Sequence, residues 1–467
     1  MSRTQALQRA QAVLDTGALA ATLARRVRYA SESEEPQAAP VLRAYLEEEM
    51  AGSLAPLGFQ CRLRENPAAA GLPFLVAERI ESDALPTVLM YAHGDVVRGQ
   101  APQWREGLAP WELRIEGERW YGRGTADNKG QHTINLAALE QVIAAREGRL
   151  GFNLKLLVET GEEAGSPGLA EFCAREREAL RADLFLASDG PRLHAQRPTL
   201  FLGSRGALNF ELRLQCRERA YHSGNWGGLL ANPGIVLANA VASMVSPRGR
   251  VLVEALRPRE VPAPVRQALA DIEVGGGEDD PAIDADWGEP GLTPAERVIG
   301  WNSLEVLAMV AGAPPKPVGA TPPSARVFCQ LRFVVGTGLD GILPAVRAHL
   351  DAHGFEAVQI HPGAAGAATR LDPQDPWVRW ALDSMERSTG KRPALLPNLG
   401  GSLPNDVFAN TLGLPTLWVP HSYPACAQHA PNEHLLAPVA REGLAVMAAL
   451  FCDLGGSAAA VRAARAA

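Results

Sequence analysis

The chain has 467 residues, 46% of them hydrophobic and 21% charged, enough apolar material for two or three domains with full cores and too much for a disordered protein. Its formal net charge is -7 and its basic residues form no stripe, which argues against nucleic acid as a partner. The stretch MSRTQALQRAQAVLDTG at the amino terminus holds no apolar run of signal-peptide or membrane-span length, and Cys61, Cys173, Cys216, Cys329, Cys426 and Cys452 show neither CxxC spacing nor dense pairing; the expectation is a cytoplasmic protein with ordinary thiols and no membrane contact.

From Thr4 to Glu49 apolar positions recur at helical spacing, broken by the polar stretch Ser31 to Pro36, which predicts two helices and a loop. Strands are predicted at Phe74 to Glu78 and Thr87 to Ala92. The second of these, TVLMYA, is apolar throughout, as a strand buried on both faces is. It ends at His93. Strands at Asn153 to Glu159 and Leu184 to Ala187 run on into Glu162, Glu163 and Asp189. Three strands would thus deliver metal-type side chains to one edge, the carboxyl ends where open α/β sheets bind ligands. Crossover helices are predicted at Gln131 to Arg146 and Leu169 to Leu180.

After Gly203 the pattern changes to strands at Ala207 to Gln215, Leu304 to Val310, Arg326 to Val335 and Ala357 to His361, with helices at Pro233 to Val245 and Asp340 to His353. This predicts a smaller α/β sandwich inserted into the first domain. The stretches Gly275 to Gly288 and Ala313 to Pro323 read as surface loops. From about Pro373 the first domain resumes, with a helix at Trp377 to Ser388 and a strand at Thr416 to Val419. That strand ends near the histidine-rich stretch His421 to His434. A last helix is predicted from Ala437 to Phe451, and the Ala-rich tail after Gly456 is expected to be loosely ordered. The expected division is therefore 1–204 and 369–467 for a catalytic domain and 205–368 for the insert.

The chemistry centres on YGRGTADNKG, Tyr121 to Gly130. Held between glycine-bearing turns and a helix start, Asp127 can offer both carboxylate oxygens in one direction, as a bridging metal ligand must; the alternative is a helix cap. Two histidines and three or four carboxylates without cysteine suit zinc, manganese or cobalt. A carboxylate bridging two such ions holds them roughly 3.5 to 4 Å apart, and a water between them loses a proton near neutral pH. Glu162 and Glu163 are neighbours and cannot easily point at the same ion, so one is expected to bind metal and the other to act as general base.

In order, the motifs HGD (His93 to Asp95), GRGTADNKG (Gly122 to Gly130), GEEAGS (Gly161 to Ser166), SDG (Ser188 to Gly190) and HAPNE (His429 to Glu433) resemble those of the M20 metallopeptidases, the carnosinase- and aminoacylase-like di-zinc amidohydrolases. The resemblance spans nearly the whole chain. It implies a zinc-peptidase-like three-layer α/β catalytic domain with a mixed central sheet, and an inserted lid domain through which a homodimer forms.

It also implies roles for single residues. His93, Asp127, Glu163, Asp189 and His429 would hold two divalent ions, Zn2+ or alternatively Mn2+ or Co2+. Asp127 would bridge them, with a cis bond to Asn128. Asp95 would orient His93, and Glu162 would be the general base and acid. His421 and His434 compete with His429. His222, in AYHSGNWGG, would stabilise the oxyanion in a neighbouring subunit, the alternative being a surface-loop histidine. Ser402 and Gly401, in GGSLP, would hold a substrate carboxylate or form a plain turn; Arg326 would meet that carboxylate, and Arg205, in GSRG, is read as structural.

The implied reaction is cleavage of an amide bond next to a free carboxylate by hydroxide held at two metals. Aspartate at position 189 points to a dipeptide or short peptide as substrate, with an N-acyl amino acid as the alternative and a non-catalytic binding protein as the remote one. The chain lacks GxGxxG spacing and a GxSxG elbow, which argues against a flavin or nucleotide enzyme and against a serine hydrolase.

Overall fold

The computed structural model describes residues 3–275, 281–313 and 315–466. They form two compact units. The larger takes the chain up to Leu202, then Leu371–Leu396 and everything from Val407; the smaller takes Gly203–Arg370 and Pro397–Asp406.

An eight-stranded sheet organises the larger unit, in the order Gln60–Arg64, Phe74–Arg79, Asn153–Glu159, Thr87–His93, Leu184–Ala187, Thr416–Trp418, Thr199–Phe201, Ala394–Leu396. The four strands from Asn153–Glu159 to Thr416–Trp418 are mutually parallel, while the pairings on either side of them are antiparallel. The central Thr87–His93 strand is buried at every position but Thr87, as its unbroken apolar run predicts. Its alternate residues serve two layers. Val88, Met90 and Ala92 join a core with Ile134, Leu139 and Val142 of the Lys129–Ala145 helix and Leu444 and Met447 of the last helix. On the other face Tyr91 packs on Phe408, which stacks on Phe185 at 4.2 Å.

Several elements differ from expectation. The first predicted helix is two, Arg3–Asp15 and Ala18–Val27, because Gly17 turns the chain at φ 76°. The Leu169–Arg175 helix stops short of Leu180. The tail is no loose end: the last helix runs Ala437–Ala466 straight through Gly455 and Gly456. A side chain at Gly455 would strike the Leu150 carbonyl, and Arg146 donates to the carbonyls of Cys452 (3.1 Å) and Gly455 (3.3 Å), so the glycine permits a close approach that anchors the tail. This helix is long and apolar enough to cross a membrane, but it packs on the Arg3–Asp15, Lys129–Ala145 and Pro376–Thr389 helices as a core element.

A further small sheet, also missed, aligns Arg114–Glu116, Arg119–Tyr121 and His434–Leu436. It lays the end of HAPNE beside the start of GRGTADNKG. Strands of three residues are too short to show a period.

In the smaller unit four antiparallel strands lie in the order Ser303–Ala311, Ser324–Phe333, Gly206–Gln215, Gln359–Gly366. Leu212, Val327 and Leu331 on one face meet Leu237, Ile342 and Val346 of the Pro233–Met244 and Leu339–Ala352 helices. The last strand lies later than the predicted Ala357 to His361. Of the two predicted loops, residues 276–280 and 314 lie outside the described residues; Pro281 to Trp287 is exposed, and Ala320–Thr321 pairs with Tyr221–His222. The GGSLP loop is tied into this unit by Leu399 N–H donating to Gly203 (2.8 Å) and Arg205 N–H donating to Leu399 (3.0 Å).

Candidate metal centre

The parallel strands converge as their carboxyl ends predict. His93 closes one strand, Glu162 and Glu163 form a turn just past the second, and Asp189 follows the third by two residues. Asp127 enters from the loop ahead of the Lys129–Ala145 helix, and its peptide bond to Asn128 is cis, as the resemblance implies.

Two donor groups share Asp127. On one side His93 Nε2 lies 2.9 Å from Asp127 Oδ1 and 3.6 Å from Asp189 Oδ2. On the other, His429 Nε2 lies 3.0 Å from Asp127 Oδ2 and 3.1 Å from Glu163 Oε2. The competing histidines face elsewhere: His421 Nε2 is 2.9 Å from Asn135 Oδ1, and His434 Nε2 is 2.6 Å from the Tyr423 hydroxyl. Asp95 reaches both groups, accepting the Glu163 N–H at 3.0 Å on Oδ2. Towards His93 Nδ1 its carbonyl, at 3.1 Å, is nearer than its carboxylate, at 3.4 Å.

The electrostatics call for cations. Burial pushes Glu162 well above the usual carboxylate range, opposed by His93 and reinforced by Asp189, Asp127 and Glu163. Burial, with Asp127 adding, raises Glu163 to about 7 and Asp189 to about 6. Asp189 Oδ2 is buried without a hydrogen-bond partner among the described residues. Only positive charge in their midst lets these carboxylates ionise together. The residues therefore fit two divalent ions, His93, Asp127 and Asp189 holding one and Asp127, Glu163 and His429 the other.

A family model for peptidase family M20/M25/M40 matches residues 89–453. The chain belongs to that family. Among its relatives, the cysteinylglycine-S-conjugate dipeptidase of Corynebacterium striatum is 27% identical over 333 residues, 68% of this chain and 70% of that protein. The Beta-Ala-His dipeptidase of Mus musculus is 33% identical over 194 residues, 41% of this chain and only 39% of that protein. An M20 family metallo-carboxypeptidase from Sulfolobus solfataricus superposes with a TM-score of 0.76 at 25% identity, covering 94% of this chain and 99% of the other. This M20 chain is thus an enzyme of the metallopeptidase type, and the two relatives just described are dipeptidases.

Sequence reasoning missed a second set of residues that builds the M20 site. Glu433, used in the sequence only as a marker for His429, is fully buried. Its carboxylate accepts from Arg123 Nη1 (2.8 Å) and from the N–H groups of Gly124 (3.0 Å), Ala126 (2.8 Å) and Asp127 (3.1 Å). It thereby shapes the loop that presents Asp127. Gln428 donates to Asp127 Oδ2. Asn128 donates to the Ser188 carbonyl at 2.8 Å and meets His132 Nδ1 at 3.1 Å, and His132 Nε2 meets the Tyr45 hydroxyl at 2.7 Å.

In the smaller unit Arg326 is displaced from its expected role. It lies 3.7 Å from Glu211 and over the Phe328 ring at 5.5 Å. Arg332, on the same strand, is the one whose Nη1 donates to Ser402 Oγ, at 2.7 Å. Six residues is an even step, so both guanidinium groups leave the same face of the sheet, about 20 Å apart along it. His222 is exposed in its two-residue strand, its Nδ1 accepting from Gly224 N–H at 3.1 Å.

The protonation states predict a sign for metal uptake. In the metal-free protein, hydrogen bonds to Asp127 and Glu163 hold His429 up at about 10, and Glu163 and Asp189 are raised as above. Each must lose its proton to become a ligand. Zn2+ binding at pH 7 is therefore expected to release protons, and affinity to fall as the pH drops from 7 towards 5. Calorimetry in buffers of different ionisation enthalpy checks this; a heat independent of buffer would contradict it.

Proposed function

We propose that this chain is a di-metal dipeptidase, hydrolysing the amide bond of a dipeptide or short peptide next to its free carboxylate, with zinc as its ion and manganese or cobalt as substitutes. The observation that carries this is Asp127, with one oxygen 2.9 Å from His93 and the other 3.0 Å from His429, so that a single carboxylate serves both donor groups. Bound at those groups, two divalent ions supply Lewis-acid polarisation of the scissile carbonyl and lower the pKa of water. Glu162, outside both groups, takes the proton of the attacking water and returns it to the leaving amine. Arg332, the Ser402 hydroxyl and the Gly401 backbone receive the substrate carboxylate.

His222 donates to the carbonyl oxygen as charge develops there, in the site of a second subunit. What supports a homodimer through the smaller unit is its apolar exposure. Val306, Leu307 and Met309 on the edge strand Ser303–Ala311, with Leu229, Ile235 and Val318, are between 42% and 76% exposed, a combination that invites pairing.

The test is hydrolysis of matched unblocked dipeptides and N-acetylated amino acids, with and without chelator and added zinc. Cleavage of the dipeptides, abolished by chelator and restored by zinc, is the expected result. Cleavage of the acylated set alone would replace the peptidase by a deacylase using the same metals.

A further inference from the structure

The Lys129–Ala145 helix buries polar side chains where an amphipathic helix would bury apolar ones. Asn128 at its start, then Gln131 and Asn135, follow the spacing of one helix face, and each is at most 1% exposed. Buried amides are costly unless their hydrogen bonds are made. These are made to the segments that carry metal ligands. Asn135 Nδ2 donates to Ser188 Oγ at 2.9 Å, beside the bond from Asn128 to the Ser188 carbonyl.

Gln131 holds the most of these contacts together. Its Nε2 donates to the Ala126 carbonyl at 3.0 Å and to the Gly190 carbonyl at 3.4 Å, and its Oε1 accepts the His421 N–H at 2.8 Å. Two carbonyls on one side and an N–H on the other fix which way the amide faces. Ala126 precedes Asp127, and Gly190 follows Asp189. One side chain thus ties the backbone beside both carboxylates of the His93 group to the segment that starts at His421. Ser422 strengthens the same point: its Oγ donates to the Gly190 carbonyl at 2.9 Å, while the Gly190 N–H donates to Asp189 Oδ1 at 2.6 Å.

The tie matters most for Asp189. The Asp127 loop has Glu433 as an independent anchor, and His93 is the last residue of a central strand. Asp189 stands two residues past its strand, with Oδ2 3.6 Å from His93 Nε2, against 2.9 Å for Asp127 Oδ1. Ionised carboxylates facing one another repel, so the distance between their loops is imposed from behind them.

We propose that Gln131, assisted by Ser422, is a positioning residue of the metal centre: it sets the distance between Asp127 and Asp189, and with it the grip of the His93 group on its ion. The inference rests on the two-ion reading above and adds to it the side chains that make one of the two sites tight.

The experiment measures Zn2+ affinity, by competition with a chromophoric chelator, in two backgrounds. His429→Ala keeps the His93 group, and Asp189→Ala keeps the His429 group. Gln131→Met preserves the length of the side chain and removes its hydrogen bonds. Added to the first background, it is expected to lower affinity about 10- to 100-fold. The loss should be several-fold smaller in the second, where only the Ala126 contact bears on the remaining ion. Ser422→Ala should act in the same direction more weakly, and it decides if Gln131→Met fails to fold. Leu139→Ala, on the same helix but in the apolar core, should lower the urea midpoint and leave both affinities unchanged. In the otherwise unaltered enzyme Gln131→Met should lower kcat on a dipeptide with KM little changed. Equal losses in the two backgrounds, no loss in either, or a loss in Leu139→Ala as large as in Gln131→Met overturns the assignment. Wild-type protein that takes up fewer than two Zn2+ ions overturns the two-ion reading instead, and an affinity loss confined to the His429→Ala background then leaves Gln131 in its role.

Discussion

Glu162→Gln is expected to lower kcat on a dipeptide by about 10²- to 10⁴-fold while the purified protein keeps its full metal content. Glutamine preserves the shape of the side chain but cannot take a proton from water or hand one to the leaving amine. Glu162 belongs to neither donor group: His93, Asp127 and Asp189 form one, and Asp127, Glu163 and His429 the other. Its loss should therefore spare metal binding. KM should change little, because no contact to the substrate carboxylate is assigned to Glu162. Kinetics alongside elemental analysis separates the two effects: turnover near wild type would remove Glu162 as the base, and loss of an ion would make it a ligand.

Glu433→Ala is expected to destabilise the metal-free protein by about 3 to 5 kcal/mol, measured as a shift of the urea unfolding curve. The substitution strands Arg123, which is fully buried, and three backbone N–H groups, all of which now end on one carboxylate. An uncompensated buried charge costs far more than the pair contributes. Zinc affinity should fall in the same variant, since the Asp127 N–H is one of the four donors. Glu433→Gln keeps an acceptor for the backbone and should fall between the two. A cost below about 1 kcal/mol for alanine, the usual scale of an exposed ion pair, would mean that Glu433 does not hold this loop.

Much of the central sheet was legible because its strands are buried on both faces and so read as unbroken apolar runs. The positions of His93, Glu163 and Asp189 followed from where those runs stop. What was not legible depends on partners distant in sequence. Nothing local distinguishes Arg326 from Arg332: both sit at even positions on one strand, and only the return of Pro397–Asp406 to the smaller unit decides which end of the strand meets Ser402. Glu433 was equally opaque, because its role depends on a pairing of three-residue strands. The tail was misjudged because glycine and alanine signal looseness in isolation, whereas Gly455 is small so that the helix can lie against the Leu150 turn.

The strand order carries a consequence for the order of synthesis. Thr416–Trp418 lies between Leu184–Ala187 and Thr199–Phe201, and the helix that covers one face of the sheet begins only at Ala437. A nascent chain of some 370 residues, as it leaves the ribosome, already has all four strands of the smaller unit's sheet. At that moment the larger sheet is still split at its middle, with two open edges and an apolar face covered by the Lys129–Ala145 helix but not yet by the last one, which invites wrong pairing. Biogenesis of this enzyme therefore hinges on its last fifty or so residues, and a ribosome that stalls before them releases a finished insert on an unfinished host.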